Sequence, residues 1–170
     1  NDYNVLVGPP APAGGPRPRQ IVGLLDFGDM LHAWIACEPA VAISYAMLGQ
    51  ADPLAAAARV TAGYHRAHPL TEPEVEALWP LALIRLCTSV CLSAHRRTAE
   101  PDNAYLTISE TPAWQALEAM RAIHPRLAHY TLRAACDWTP CPQTPAVEAW
   151  LAAHADEIGP VVSTDLGNAL

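Results

Sequence analysis

The chain has 170 residues, of which 51% are hydrophobic and 16% charged, and carries a formal charge of −7 at pH 7. That length and balance fit one globular domain with a real core and exclude a disordered segment. All ten basic residues are arginines, and the only basic run is Arg96-Arg97, so nucleic-acid binding, which rests on phosphate neutralisation, is not expected. No stretch reads as the roughly 20 apolar residues that span a bilayer, and the polar Asn1-Asp2 start is no signal peptide, although the true N-terminus is expected to lie upstream. No membrane partner is expected.

Asn1 to Val7 is an amide-rich segment that runs into a short apolar strand. Gly8 to Arg19, rich in Pro and Gly, predicts an exposed, poorly ordered hairpin loop whose Arg17 and Arg19 are solvated. The apolar run from Ile21 to Leu25 then predicts a second strand, and Gly28 lets the backbone turn so that Asp26 and Asp29 leave the strand's end. Antiparallel pairing brings Asn4, at the start of the first strand, to the same edge as Asp26. An amide oxygen and a carboxylate so placed suit a hard divalent cation such as Mg2+. The competing reading is that Asp26 or Asp29 caps a following helix.

Helices follow, punctuated by proline. Glu38-Pro39 opens one to about Leu48, closed by Gly49, and Asp52-Pro53 opens an alanine-rich one to about His68. Thr71-Glu72-Pro73-Glu74 is a capping box that starts a long helix to about Arg97, with a kink or split expected at Pro80. In its second half Leu83, Leu86 or Cys87, Val90 and Ala94 form one apolar stripe, and Arg85, Ser89, Ser93 and Arg96 lie on a neighbouring one. After an extended connection at Pro101 to Ser109, in which Tyr105 and Leu106 are expected to pack inward, helices start at Thr111-Pro112, Pro125 and Thr144-Pro145. The fold class is therefore mainly α with a small β-hairpin (α+β): hairpin 4–26, helical bundle 38–154, and a tail or linker at 159–170.

Five cysteines, an odd count without secreted-scaffold spacing, point to a reducing compartment, and a cytoplasmic location is expected. Cys87 and Cys91, one helical turn apart among Leu83, Leu86 and Val90, read as small core residues, and Cys136 and Cys141 as thiols that stay reduced in a cell. The histidines include no zinc pattern; His65 and His68 sit at a helix end, where carbonyl capping accounts for them. No Gly-x-Ser-x-Gly elbow is present, which excludes that serine-hydrolase signature.

The order of these motifs resembles the lower lobe of the kinase-like fold, in which a His-x-Asp-x-x-x-x-Asn loop leads into a hairpin ending in Asp-Phe-Gly. Asn4 matches the loop asparagine, and Asp26-Phe27-Gly28 the metal-binding triplet. Asp29 and the stretch after it are similar to aminoglycoside phosphotransferases rather than protein kinases. Asn1-Asp2-Tyr3-Asn4-Val5-Leu6-Val7, Leu25-Asp26-Phe27-Gly28-Asp29-Met30 and Pro101-Asp102-Asn103-Ala104-Tyr105-Leu106 resemble the hydroxylysine-kinase-like branch of that family. Members of this branch also occur as the first domain of long chains ending in a class III aminotransferase domain. The resemblance runs roughly from Asn1 to Trp138.

The resemblance implies that Asn4 and Asp26 hold Mg2+ against the phosphates of ATP and that Asp29 serves a second cation or a substrate ammonium. It also places the Thr71-led helix beneath an acceptor pocket, where Arg85 and Ser89 contact a small amine or amino acid. Arg85 as a structural ion-pair partner of Asp29 or Glu38 is the alternative. By the motif's spacing the catalytic aspartate falls just upstream of Asn1, and with no lysine in the chain the phosphate-gripping lysine belongs to a missing N-terminal lobe. Gly14-Gly15, set among prolines, reads as a turn and not as a phosphate cradle. The expectation is the C-terminal lobe of an ATP-dependent small-molecule kinase, inactive by itself. A non-catalytic helical scaffold in a multidomain, aminotransferase-type protein is the competing one.

Overall fold

A computed structural model describes residues 4–9, 20–28, 30–99 and 110–158. The expectations for 10–19, Asp29, Tyr105, Leu106 and the tail lie outside the described residues. Among the described residues the chain is mainly helical with a small two-stranded antiparallel sheet, as the sequence predicts. Strand β1 (Val5–Val7) pairs with β2 (Ile21–Leu24) in the register Val5 to Leu24, Leu6 to Gly23 and Val7 to Ile21, with an irregularity between Leu6 and Val7. A Cβ at Gly23 would come 3.2 Å from Leu6 Cδ1, so a side chain there would require Leu6 to shift by a few tenths of an ångström.

Four helix starts follow the local chemistry. Helix α1 (Cys37–Ala46) carries Pro39 near its start, and Gly49 beyond its end takes a φ of 69°, which glycine adopts without a steric penalty. Helix α2 (Pro53–Ala67) is capped by Asp52, whose Oδ1 accepts from the Ala55 amide at 2.9 Å. Helix α3 (Glu72–Ala99) starts at the predicted box, but the Glu74 carboxylate receives both bonds, from the Thr71 amide and the Thr71 hydroxyl, each at 2.7 Å. Helix α5 (Pro125–Ala135) has His124 as its cap, with Nδ1 accepting from the Arg126 amide at 3.2 Å. Helix α4 (Glu110–Arg121) begins ahead of Thr111, and α6 (Thr144–Ala153) and α7 (Ala155–Ile158) complete the order.

The core lies among the first five helices: α3 packs against α1, α4 and α5, and α2 packs against α1, α4 and α5. Ile43 and Met47 from α1, Val75, Leu78, Ala82, Leu86 and Val90 from α3, Met120 from α4 and Leu132 from α5 are buried together. Ala56, Ala57 and Ala58 let α2 approach its neighbours closely, and the buried Thr61 hydroxyl is satisfied by the Ala57 carbonyl at 2.9 Å. A buried charge joins the end of α5 to the start of α3. Arg133 on α5 pairs with Glu72 at the start of α3, donates from Nε to the Thr139 carbonyl at 2.9 Å, and lies over the Trp138 ring. His129 adds a 3.4 Å approach to the same Glu72.

Helix α3 corrects several expectations. It runs unbroken through Pro80, about 42 Å long at 28 residues. Pro80 lies exposed, so water can take the Glu76 carbonyl that a proline amide leaves unbonded. The buried stripe is Val75, Leu78, Trp79, Ala82, Leu86 and Val90, whereas Leu83, Cys87, Cys91 and Ala94 are exposed. Leu83, Ile84, Cys87, Thr88, Cys91 and Leu92 line an open apolar groove of about 400 Å³. The helix also has the length and composition to cross a membrane, with a mean hydropathy of 1.6 in its most apolar window, contrary to the expectation that no stretch does. Every such window contains Arg85, and one side of the helix packs against α1, α4 and α5, with 28% of the most apolar window buried.

Candidate functional site

The hairpin brings Asn4 and Asp26 together. Asn4 precedes β1, Asp26 follows β2, and the Leu25 amide bonds the Asn4 carbonyl at 2.8 Å, continuing the ladder past the last strand pair. Their side chains meet through Asn4 Nδ2, which donates to Asp26 Oδ2 at 3.1 Å. Asp26 has a φ of 62°, a left-handed conformation uncommon outside glycine and most accessible to Asp and Asn. This turn directs the carboxylate to the sheet's end instead of continuing the strand, and Gly28 follows it in the turn. The Asp26 side chain is exposed and Asn4 half-buried.

The donor set there consists of hard oxygens: a carboxylate and, with the amide rotated, the Asn4 carbonyl. Among the described residues no group of three or more His, Cys, Asp or Glu gathers to hold a metal. A pair of oxygen ligands open to water is unsuited to zinc but fits Mg2+, which keeps several waters and takes one or two protein oxygens alongside phosphate. Asp29 lies outside the described residues. Asp26 bonds Asn4 and caps no helix: α1 starts at Cys37 with Ala36 at its cap position.

Arg85 and Ser89 also come together, one turn apart on α3, with Arg85 Nη1 donating to Ser89 Oγ. The sequence reading missed the third member, Tyr45 on α1. Arg85 Nη2 donates to the Tyr45 hydroxyl at 2.7 Å, and the guanidinium carbon stands 5.3 Å from the centre of the Tyr45 ring. A lone tyrosine among the small and apolar residues of α1 was the signal available. Among the described residues Arg85 has no ion pair with Glu38 or any other acid, so the expected ion pair with Glu38 is not formed.

The cysteines and His65 have their own chemistry. All five thiols are free. Burial pushes the Cys136 thiol up to about 11, whereas a hydrogen bond from the Tyr130 hydroxyl lowers Cys141 and raises Tyr130. His65 Nδ1 accepts from the Leu70 amide at 3.0 Å, stapling the α2–α3 turn in place of the expected carbonyl cap.

A small antiparallel hairpin with an Asn–Asp pair at its end, leading into a helical bundle, is consistent with a kinase-like α+β architecture. The chain is similar to hydroxylysine kinases. It is 33% identical over 121 residues to that of Mus musculus and 35% identical over 121 residues to that of Bos taurus, in each case 71% of this chain and 32% of the relative. With the enzyme of Danio rerio it shares 36% identity over 110 residues, 64% of this chain and 30% of the relative. These similarities support a kinase-like family, and the chain spans about a third of the length of the curated relatives it matches. No family model matches the chain, and no solved structure matches it.

Proposed function

We propose that this chain is part of an ATP-dependent small-molecule kinase that transfers a phosphoryl group to a hydroxyl of a small amine or amino acid, with hydroxylysine the first acceptor to test. The observation that carries the reading is the 3.1 Å Asn4–Asp26 pair at the hairpin end, in a chain similar over 71% of its length to hydroxylysine kinases. Asn4 and Asp26 would hold Mg2+, which supplies positive charge against the nucleotide phosphates as charge redistributes during transfer. The left-handed turn at Asp26 keeps its carboxylate aimed out of the hairpin, and binding a cation would require the Asn4 amide to give up its bond to Asp26 and rotate. Asp29 takes a second cation or the acceptor's ammonium in this reading. The chain contains no lysine, so the lysine of the kinase-like pattern, together with the aspartate that orients the acceptor hydroxyl, is assigned to the rest of a longer polypeptide.

The test is Mg2+-dependent ATP turnover by the full-length polypeptide against hydroxylysine and a panel of amino alcohols, with Asp26→Asn measured beside it. Acceptor-dependent turnover that is lost in Asp26→Asn supports the kinase. No turnover with any acceptor, together with no nucleotide binding, would assign these helices to a non-catalytic scaffold.

A further inference from the structure

Of the eight arginines among the described residues, only Arg85 and Arg133 are not exposed. Arg133 has its counter-charge in Glu72. Among the described residues Arg85 has none: its partners there are the hydroxyls of Ser89 and Tyr45 and the face of the Tyr45 ring. A guanidinium half-buried against neutral groups keeps a charge that only solvent offsets, which an anion would relieve. The two hydroxyls that accept from Arg85 retain their own protons, so the cluster presents guanidinium N–H groups and two O–H donors side by side. Stacking on Tyr45 and the bond to Ser89 hold the planar fork in one orientation, from α1 on one side and the next turn of α3 on the other. A fixed fork matches the two oxygens of a carboxylate.

We propose that Arg85, oriented by Tyr45 and Ser89, is the specificity-determining residue that anchors the carboxylate of an amino-acid acceptor. This rests on the kinase reading above and narrows its acceptor from a small amine or amino acid to an amino acid that bears a hydroxyl. Nucleotide phosphate is the other anion of such a site, but the reading already assigns phosphate to the cation at Asn4 and Asp26.

The experiment compares hydroxylysine with 1,5-diaminopentan-2-ol, the same molecule without its carboxylate, using the full-length polypeptide and its Arg85→Met, Arg85→Lys and Ser89→Ala variants. Arg85→Met is expected to raise the KM for hydroxylysine roughly 10- to 100-fold, the range of a lost charge-assisted bidentate contact. The KM for the diamine should move by less than about twofold, and kcat for hydroxylysine by less than about threefold, because the contact acts in binding rather than in the transferring bonds. Arg85→Lys keeps the charge without the fork and should fall between; Ser89→Ala should raise the same KM about threefold. If Arg85→Met does not fold, Arg85→Lys carries the comparison. Equal increases for both acceptors would make Arg85 a purely structural tie between α1 and α3 and overturn the proposal, as would an increase confined to the KM for ATP. Wild-type turnover that does not distinguish the two acceptors overturns this proposal alone, whereas absence of turnover with any acceptor overturns it together with the kinase reading.

Discussion

In the hairpin, Leu6, Val7, Ile21, Val22 and Leu24 all lie exposed and the strands pair chiefly with each other, whereas in the bundle Ile43, Leu78 and Leu132 are fully sealed from solvent. The hairpin carries the Asn4–Asp26 pair, and the bundle carries the burial that stabilises the chain. A two-stranded ribbon is marginal by itself, so its geometry depends on the ladder bonds and on the left-handed turn at Asp26. Activity and stability should therefore separate by region, and substitutions in each region test the separation.

The largest effect is expected from Asp26→Asn. Asparagine tolerates the left-handed conformation and keeps the shape of the side chain, so thermal unfolding should move by no more than about 0.5 kcal/mol, while ATP turnover of the full-length polypeptide falls about 10²- to 10³-fold. A parallel loss of stability would show that the hairpin's charge holds the fold. The converse substitution, Leu132→Ala, removes a side chain with no exposure. It should cost about 3 kcal/mol in urea unfolding through lost transfer energy and the cavity left behind, with ATP affinity unchanged in the fraction that remains folded. An equal cost from Leu24→Ala, at 57% exposure, would erase the distinction between the regions.

A smaller effect sharpens the picture at the start of α3. The Thr71 amide and hydroxyl hold the Glu74 carboxyl below the ordinary value of 4.5. A carboxyl depressed by folding stabilises above the unfolded value, and that stabilisation is lost as pH falls through the folded one. Glu74→Gln should therefore cost roughly 0.5 kcal/mol at neutral pH, a figure reduced by solvent screening, and nothing once the pH is well below 4.5; chemical unfolding at pH 7 and pH 3 measures the difference. The smallest effect concerns the exposed apolar groove along α3. The chain alone should self-associate weakly at high concentration, and Leu83→Glu with Leu92→Glu should return it to a monomer by light scattering. A wild-type chain that stays monomeric would show that this apolar face is tolerated by water.

Much of this architecture is written in short-range chemistry. Asp52-Pro53, Thr71 to Glu74 and Pro125 mark helix starts because a side-chain acceptor or a missing amide hydrogen acts within one turn. The meeting of Asn4 and Asp26 was equally legible, because two adjacent strands with a loop between them have few ways to pair. Long-range choices were not legible. Apolar and small residues recur on nearly every side of α3, so periodicity could not decide between Leu86 with Val90 and Leu83 with Cys87. Only packing against α1, α4 and α5 turned the first pair inward and left Cys87 and Cys91 outside.

The same division applies to the charges. By itself the sequence determined which residue types were available, an amide and a carboxylate at the ends of two strands and arginines in place of every lysine, together with the helices that carry them. Tertiary structure alone decided that Arg133 would be buried against Glu72 and that Arg85 would meet the Tyr45 ring and hydroxyl. A helix start is set by groups a few residues apart, but a buried cation's partner is whichever distant group the packed helices bring within about 3 Å of it.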